Sequence, residues 1–247
     1  MSTVDDTRLS TQDRILVAAA HLFARHGIEE VRLRDIAVLA GQRNSSAVQY
    51  HFGGRWDLVA GILERHDRTV RGWAPALDTL TLPQLVGGLV GLLRSELGTA
   101  EGRDFLRVTS ELMSRYPGRW DMDPTTHEGF SQLVDRITVL LSRGPHDLPP
   151  RVARIRAVAM AQFVSYQMAE RSRLVDDRSP PLDRLNGGAP TGIDEGRKAG
   201  RTPSSLLPEP RFVGNLEAMA TGLLVAPLPA APPNPSTSAK PRKRATK

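Results

Sequence analysis

Apolar residues recur at three- and four-residue spacing along most of this chain, and no stretch keeps the two-residue alternation of a half-buried strand. The pattern predicts an all-α protein. Ile15, Ala19, Leu22 and Phe23 form one helical stripe behind a start at Ser10 or Thr11. Ser10 and Asp13 stand at capping-box spacing, and Gly27 supplies the stop. Residues 32–40 place Leu33, Ile36, Ala37 and Ala40 on one face before Gly41. Asn44 and Ser45 can each accept a backbone N–H, so a second short helix is expected to begin there, run to Phe52 and close at Gly53 and Gly54. From Arg55 a longer helix points Trp56, Val59, Ile62 and Leu63 inward and ends near Pro75.

Five further helices are predicted over residues 82–98, 103–116, 125–142, 151–174 and 210–225. In the fourth of these, Val152, Ile155, Ala159, Phe163, Tyr166 and Ala169 are assigned to one inward face. Gly87 and Gly91 stand four apart, but the segment is too short for a membrane span and runs into Arg94 and Glu96, so close packing in a helical body is expected. Residues 1–9 read as a disordered arm. Residues 176–206, rich in Pro, Gly, Asp and Arg, read as a mobile loop. Residues 227–247 are proline-rich and then basic, the pattern of a disordered tail.

Two short helices around a glycine turn are the plan of a helix-turn-helix, whose second helix can enter a DNA major groove. Spacing alone leaves a buried helical hairpin in an all-α enzyme equally open. The net charge of +6 does not decide between them. Residues 1–66 hold eight arginines and eight acids, a net of zero, whereas 240–247 carry +5. High charge is therefore a property of the tail. A 40% hydrophobic chain of 247 residues can bury a sizeable core, and no run approaches the roughly 20 apolar residues of a membrane helix. The absence of cysteine and of a leader-like apolar start fits a cytoplasmic protein.

Asp35-Ile36-Ala37, Ala40-Gly41, Ala47, Tyr50-His51-Phe52-Gly53, Arg55 and Leu58 together resemble the signature of TetR-type (tetracycline repressor-type) regulators. Arg14-Ile15-Leu16, Ala18-Ala19, Leu22-Phe23 and His26-Gly27 are similar to that family's first helix. The resemblance covers about residues 11–63. It departs at one point: 41–52 is one residue longer than the family's usual turn and helix, with Gln42-Arg43-Asn44 in the turn, which leaves the cap of the second helix open between Asn44 and Ser45.

The resemblance implies a helix-turn-helix DNA-binding domain over 10–54 and a helical effector-binding and dimerisation domain over 55–226. It assigns DNA contacts to Arg34, Asn44, Ser45, Ser46, Gln49, Tyr50, His51 and Arg55. Ser45, Ser46 and Gln49 would read bases, a glutamine being able to pair bidentately with adenine. Tyr50, His51 and Arg55 would hold the backbone. It also implies an effector cavity, for which Met113, Trp120, Met122, Phe130, Met160, Phe163, Tyr166 and Met168 are candidates, since Met and aromatic side chains adapt to apolar ligands. Any one of them can equally be ordinary core.

The expected function is a homodimeric, sequence-specific repressor of a palindromic double-stranded operator, released by a small apolar effector, with no cofactor and no membrane. The alternatives are a helical small-molecule-binding protein or enzyme without DNA binding, and a nucleic-acid binder acting through its basic tail. No G-x-S-x-G, Walker or H-E-x-x-H pattern supports an enzyme.

Overall fold

Ser10 starts the first helix: its Oγ accepts the Asp13 N–H at 3.0 Å and its hydroxyl donates to the Asp13 carboxylate at 2.6 Å. Half of the anticipated capping box is thus present, with the acid taking the hydroxyl instead of the backbone N–H. The computed structural model describes residues 10–44, 46–72, 74–117, 128–143, 145–176 and 207–228. Among them run α1 (Thr11–His26), α2 (Leu33–Leu39), α3 (Ser46–Phe52), α4 (Arg55–Arg71), a 3-10 turn (Ala74–Thr79), α5 (Leu82–Glu96), α6 (Ala100–Arg115), α7 (Glu128–Ser142), α8 (Pro150–Asp176) and α9 (Glu209–Val225). No strand is found among the described residues, and no helix there is long and apolar enough to cross a membrane. The predicted arm, mobile loop and basic tail, together with Ser45, Trp120 and Met122, lie outside the described residues, apart from the edges of the loop and tail at Asp176 and 227–228.

Helices α1 to α3 make the head. Ile15, Ala19 and Phe23 of α1 meet Ile36 and Ala37 of α2 and Val48 of α3, all of them buried, while Leu33 and Phe52 close the edges. Seven-residue helices such as α2 and α3 do not persist alone in water, so this shared core is what holds them. Helix α4 adds Leu58, Val59 and Ile62 to the same core and then enters the body. Its Gly61 lets α1 come close, since a Cβ there would stand 2.8 Å from the Leu16 side chain.

The body is layered around α6 and α8. Thr99 caps α6 by accepting the Gly102 N–H at 3.0 Å, three residues earlier than periodicity places the helix start. The apolar face predicted for α6 is buried as expected at Phe105, Leu106, Thr109, Leu112 and Met113.

Helix α8 departs from expectation. Ile155 is 59% exposed and Tyr166 52%, whereas the covered face consists of Ala153, Ala157, Met160, Ala161, Val164 and Met168. Of the stripe chosen from the sequence, Ile155 and Tyr166 face outward, Val152, Ala159 and Phe163 are half-buried, and Ala169 is buried. The small residues face inward because α6 and α7 both pack tightly against that side, and close helix approach favours alanine over isoleucine.

Candidate nucleic-acid interface

The turn between α2 and α3 is built by backbone bonds and one left-handed residue. Gly41 has φ +71°, a conformation that a Cβ would penalise. The Gln42 N–H returns to the Ala37 carbonyl at 2.8 Å, so the chain reverses tightly after α2. Asn44 Oδ1 accepts the Ser46 N–H at 3.0 Å, two residues on, which is the bond of an Asx turn leading into α3. The extra residue in this turn is thereby accommodated before the helix and leaves the helix itself regular.

Helix α3 is two-sided. Val48 is fully buried, and Ala47, His51 and Phe52 are half-buried. Ser46, Gln49 and Tyr50, at i, i+3 and i+4, are exposed on the other side, Tyr50 at 86%. Tyr50 meets the His51 ring edge-on at 5.1 Å between centroids, which restricts both rings without covering them. On α2, Arg34 is 72% exposed and stands 3.9 Å from Asp35, too far for a firm ion pair. Val38 and Leu39, at the end of α2, are also exposed. Six of the eight residues assigned to DNA contact are therefore gathered on or beside α2 and α3, and Ser45 is outside the described residues.

Arg55 makes a contact within the head. Its Nη2 donates to the Val31 carbonyl at 2.7 Å, and the side chain is half-buried. It ties the first residue of α4 to the segment entering α2, so it braces the head from inside.

Behind the head lies a polar joint that no sequence signal announced. His21 Nδ1 of α1 is 3.0 Å from Asp104 of α6. Arg107, 6% exposed, stands 3.6 Å from Asp104, donates to Ser172 Oγ at 2.9 Å and pairs with Asp176 at the end of α8. Burial alone would raise the Asp176 carboxyl, but the hydrogen bonds and charges of Arg107 and Arg103 outweigh it and hold the group below its ordinary value. Glu111 accepts the Ile28 N–H at 3.2 Å, fixing the α1–α2 connection to α6.

From α4, Arg65 reaches Asp13 and Glu101, and His66 stacks on Phe105 while facing Glu96 at 3.1 Å. Asp67, 5% exposed, accepts the Gly129 and Phe130 N–H groups at 3.2 and 3.3 Å, so it caps α7.

The effector candidates are dispersed. Met113, Met160 and Met168 are buried in the common core, while Phe130 and Phe163 pack at its edge. Among the described candidates, Tyr166 alone lines a groove of about 430 Å³ between α1, α6 and α8, and that groove is mostly polar.

Residues 15–62 match the family model for bacterial regulatory proteins of the tetR family. No curated protein matches the chain significantly. Among solved structures the chain is similar to NalD, the secondary repressor of the MexAB-OprM multidrug efflux pump in Pseudomonas aeruginosa, at 20% identity over 71% of this chain and 90% of that one, with a TM-score of 0.48. It is also similar to a gamma-butyrolactone receptor (ArpA-like protein), at 25% identity over 85% and 96% of the two chains and a TM-score of 0.44. A third is AibR, in complex with isovaleryl coenzyme A and operator DNA, at 13% identity over 89% and 100% and a TM-score of 0.44.

Proposed function

We propose, from the premise that this chain carries the DNA-binding head of the tetR family of bacterial regulatory proteins, that it is a homodimeric repressor binding a palindromic operator and released by a small molecule. One observation carries the reading. Ser46, Gln49 and Tyr50 form an exposed stripe on a helix whose opposite side is locked into the core by Val48. A helix held that way presents a rigid set of groups to a major groove, where rigidity limits the entropy lost on binding.

Gln49 pairs with an adenine edge, and Ser46, with Ser45 beside it in sequence, reaches bases or phosphates at the start of the helix. Asn44 shapes the turn that delivers them. Tyr50, His51 and Arg34 hold phosphates, which sets register without choosing sequence. Arg55 supports the set indirectly, through Val31.

Dimerisation is supported by the outer faces of α8 and α9. Ile155 is 59% exposed, and Met219 and Leu223 on α9 are 48% and 41% exposed. Gly214 and Gly222 have open space where a Cβ would stand, so another helix can approach closely there. Two heads in one dimer suit half-sites about one DNA turn, roughly 34 Å, apart.

Selection from a random duplex pool at low salt tests the function. Enrichment of an inverted repeat, bound with a steep salt dependence, is the expected result. Failure to enrich any duplex would overturn DNA binding and favour a helical ligand-binding protein. Enrichment of a single half-site, with a monomer in sedimentation, would overturn the dimer.

A further inference from the structure

The groove at the joint lies between the last turn of α1, the second half of α6 and the stretch of α8 around Tyr166 and Arg173. It touches both the head and the body. Its volume of about 430 Å³ falls in the range of small-molecule sites. We propose that it binds a small molecule carrying a carboxylate or phosphate together with a hydrogen-bond donor, and that this occupant competes with the head for Glu111. The proposal rests on the chain being a ligand-responsive DNA-binding regulator, and it replaces the apolar effector expected from the sequence with an acidic one.

The charges favour an anion. Four arginines line the groove against two glutamates. Arg107, at its base, is buried and already engaged by Ser172, Asp104 and Asp176, so an anion's partners would be the outer arginines. Arg115 and Arg173 are 60% and 45% exposed, and each pairs with a carboxylate on its own helix, Glu111 and Glu170, Arg115 lying also over the Tyr116 ring. Same-helix pairs at such exposure are weak and exchange readily. An entering anion can therefore take both guanidinium groups, with charge-assisted hydrogen bonds to each. Tyr166, 52% exposed, adds aromatic surface at the rim of the lining.

The link to the head is Glu111. Its Oε1 stands 3.3 Å from Arg115 and accepts the Ile28 N–H at 3.2 Å. Gly27 leaves it room, since a Cβ there would lie 3.3 Å from the same oxygen. An anion that draws Arg115 away, with a donor that pulls the Glu111 carboxylate toward the groove, moves the acceptor away from the Ile28 N–H. Ile28 is fully buried, so losing that acceptor loosens the connection between α1 and α2 from α6. The position of the reading helix then depends on what fills the groove.

The test uses full-length protein with 4-aminobenzoate and 4-aminophenyl phosphate, which carry the two kinds of acid, and aniline as the uncharged control. Calorimetry should show at least one acid binding, with aniline at least tenfold weaker, and the arm that binds identifies carboxylate or phosphate. Arg115→Gln and Arg173→Gln should each weaken that acid by about tenfold without moving the melting temperature. Saturating acid should lower affinity for the selected duplex, and in Glu111→Ala, which has no side-chain acceptor for the Ile28 N–H, the ratio of affinities with and without acid should fall to one. Binding of neither acid, equal binding of aniline, or indifference to both arginine substitutions overturns the site. Acid binding that leaves operator affinity unchanged overturns the competition for Glu111. Failure of the DNA-binding reading is seen separately, as failure to select a duplex with no acid present.

Discussion

The outward face of the head and the joint behind it use the same side chains for opposite ends. Both contain arginine and histidine. At the joint the charges meet partners on other helices: Arg65 with Asp13 and Glu101, Arg107 with Asp104 and Asp176, Asp67 with the first amides of α7. On the outward face Arg34 has only a loose approach to Asp35, and Gln49 and Tyr50 stand in solvent. Partnered charges resist desolvation poorly when a partner is lost, so these pairs are structural. Exposed, pre-positioned groups on a rigid helix cost little to present to a ligand, so the outer face is the one suited to recognition.

Substitutions should separate the two regions in order of size. Arg107→Met leaves Asp104 with His21 alone and Asp176 with Arg103 alone, and should lower the unfolding free energy by about 3 kcal/mol in urea. Arg34→Gln, measured alongside, should stay within about 0.5 kcal/mol of the parent. Next comes Arg55→Gln, which loses a charged hydrogen bond to Val31. It should cost about 1.5–3 kcal/mol of stability and weaken every duplex alike, with an unchanged salt slope. A slope reduced by about 1 per subunit would instead make Arg55 a phosphate contact.

Gln49→Ala should leave unfolding untouched and remove about 1–3 kcal/mol of discrimination at one base pair of each half-site. Competition between the selected duplex and its single-base variants measures this, and equal loss on all sequences would contradict base reading. For Arg34→Gln the expected change in DNA binding is a salt slope smaller by about 1 per subunit.

The smallest effect is electrostatic. The folded Asp176 carboxyl sits below its ordinary value of 3.8. Its stabilising contribution is therefore present above that value and lost as pH falls through the lower folded one. The difference in urea midpoint between the parent and Asp176→Asn should persist from pH 7 to 5 and shrink below about pH 4. A difference that grows on acidification would reverse the sign assigned to this group.

Much of the head was legible because its signals are short-range. Ile36, Val48 and Leu58 declare their burial through spacing within one or two turns, and Gly41 marks a turn that needs a left-handed residue. The stripe of Ser46, Gln49 and Tyr50 follows from the same periodicity once Val48 is placed inside. The α6 face was legible for the same reason. Helix α8 was not: Ile155 and Tyr166 outrank alanine in any hydrophobic pattern, yet Ala153, Ala157 and Ala161 are the residues that α6 and α7 cover.

The sequence by itself determined the helices, their stops and the polar side of α3, since those depend on backbone propensity and on neighbours three or four residues away. Only the tertiary structure decided which face of α8 is covered and that Arg55 serves Val31. It also decided that Asp67 caps a helix more than sixty residues on and that Glu111 ties the head to the body. Each of those depends on which helix comes to lie opposite, and a pattern read along one chain does not contain that distance.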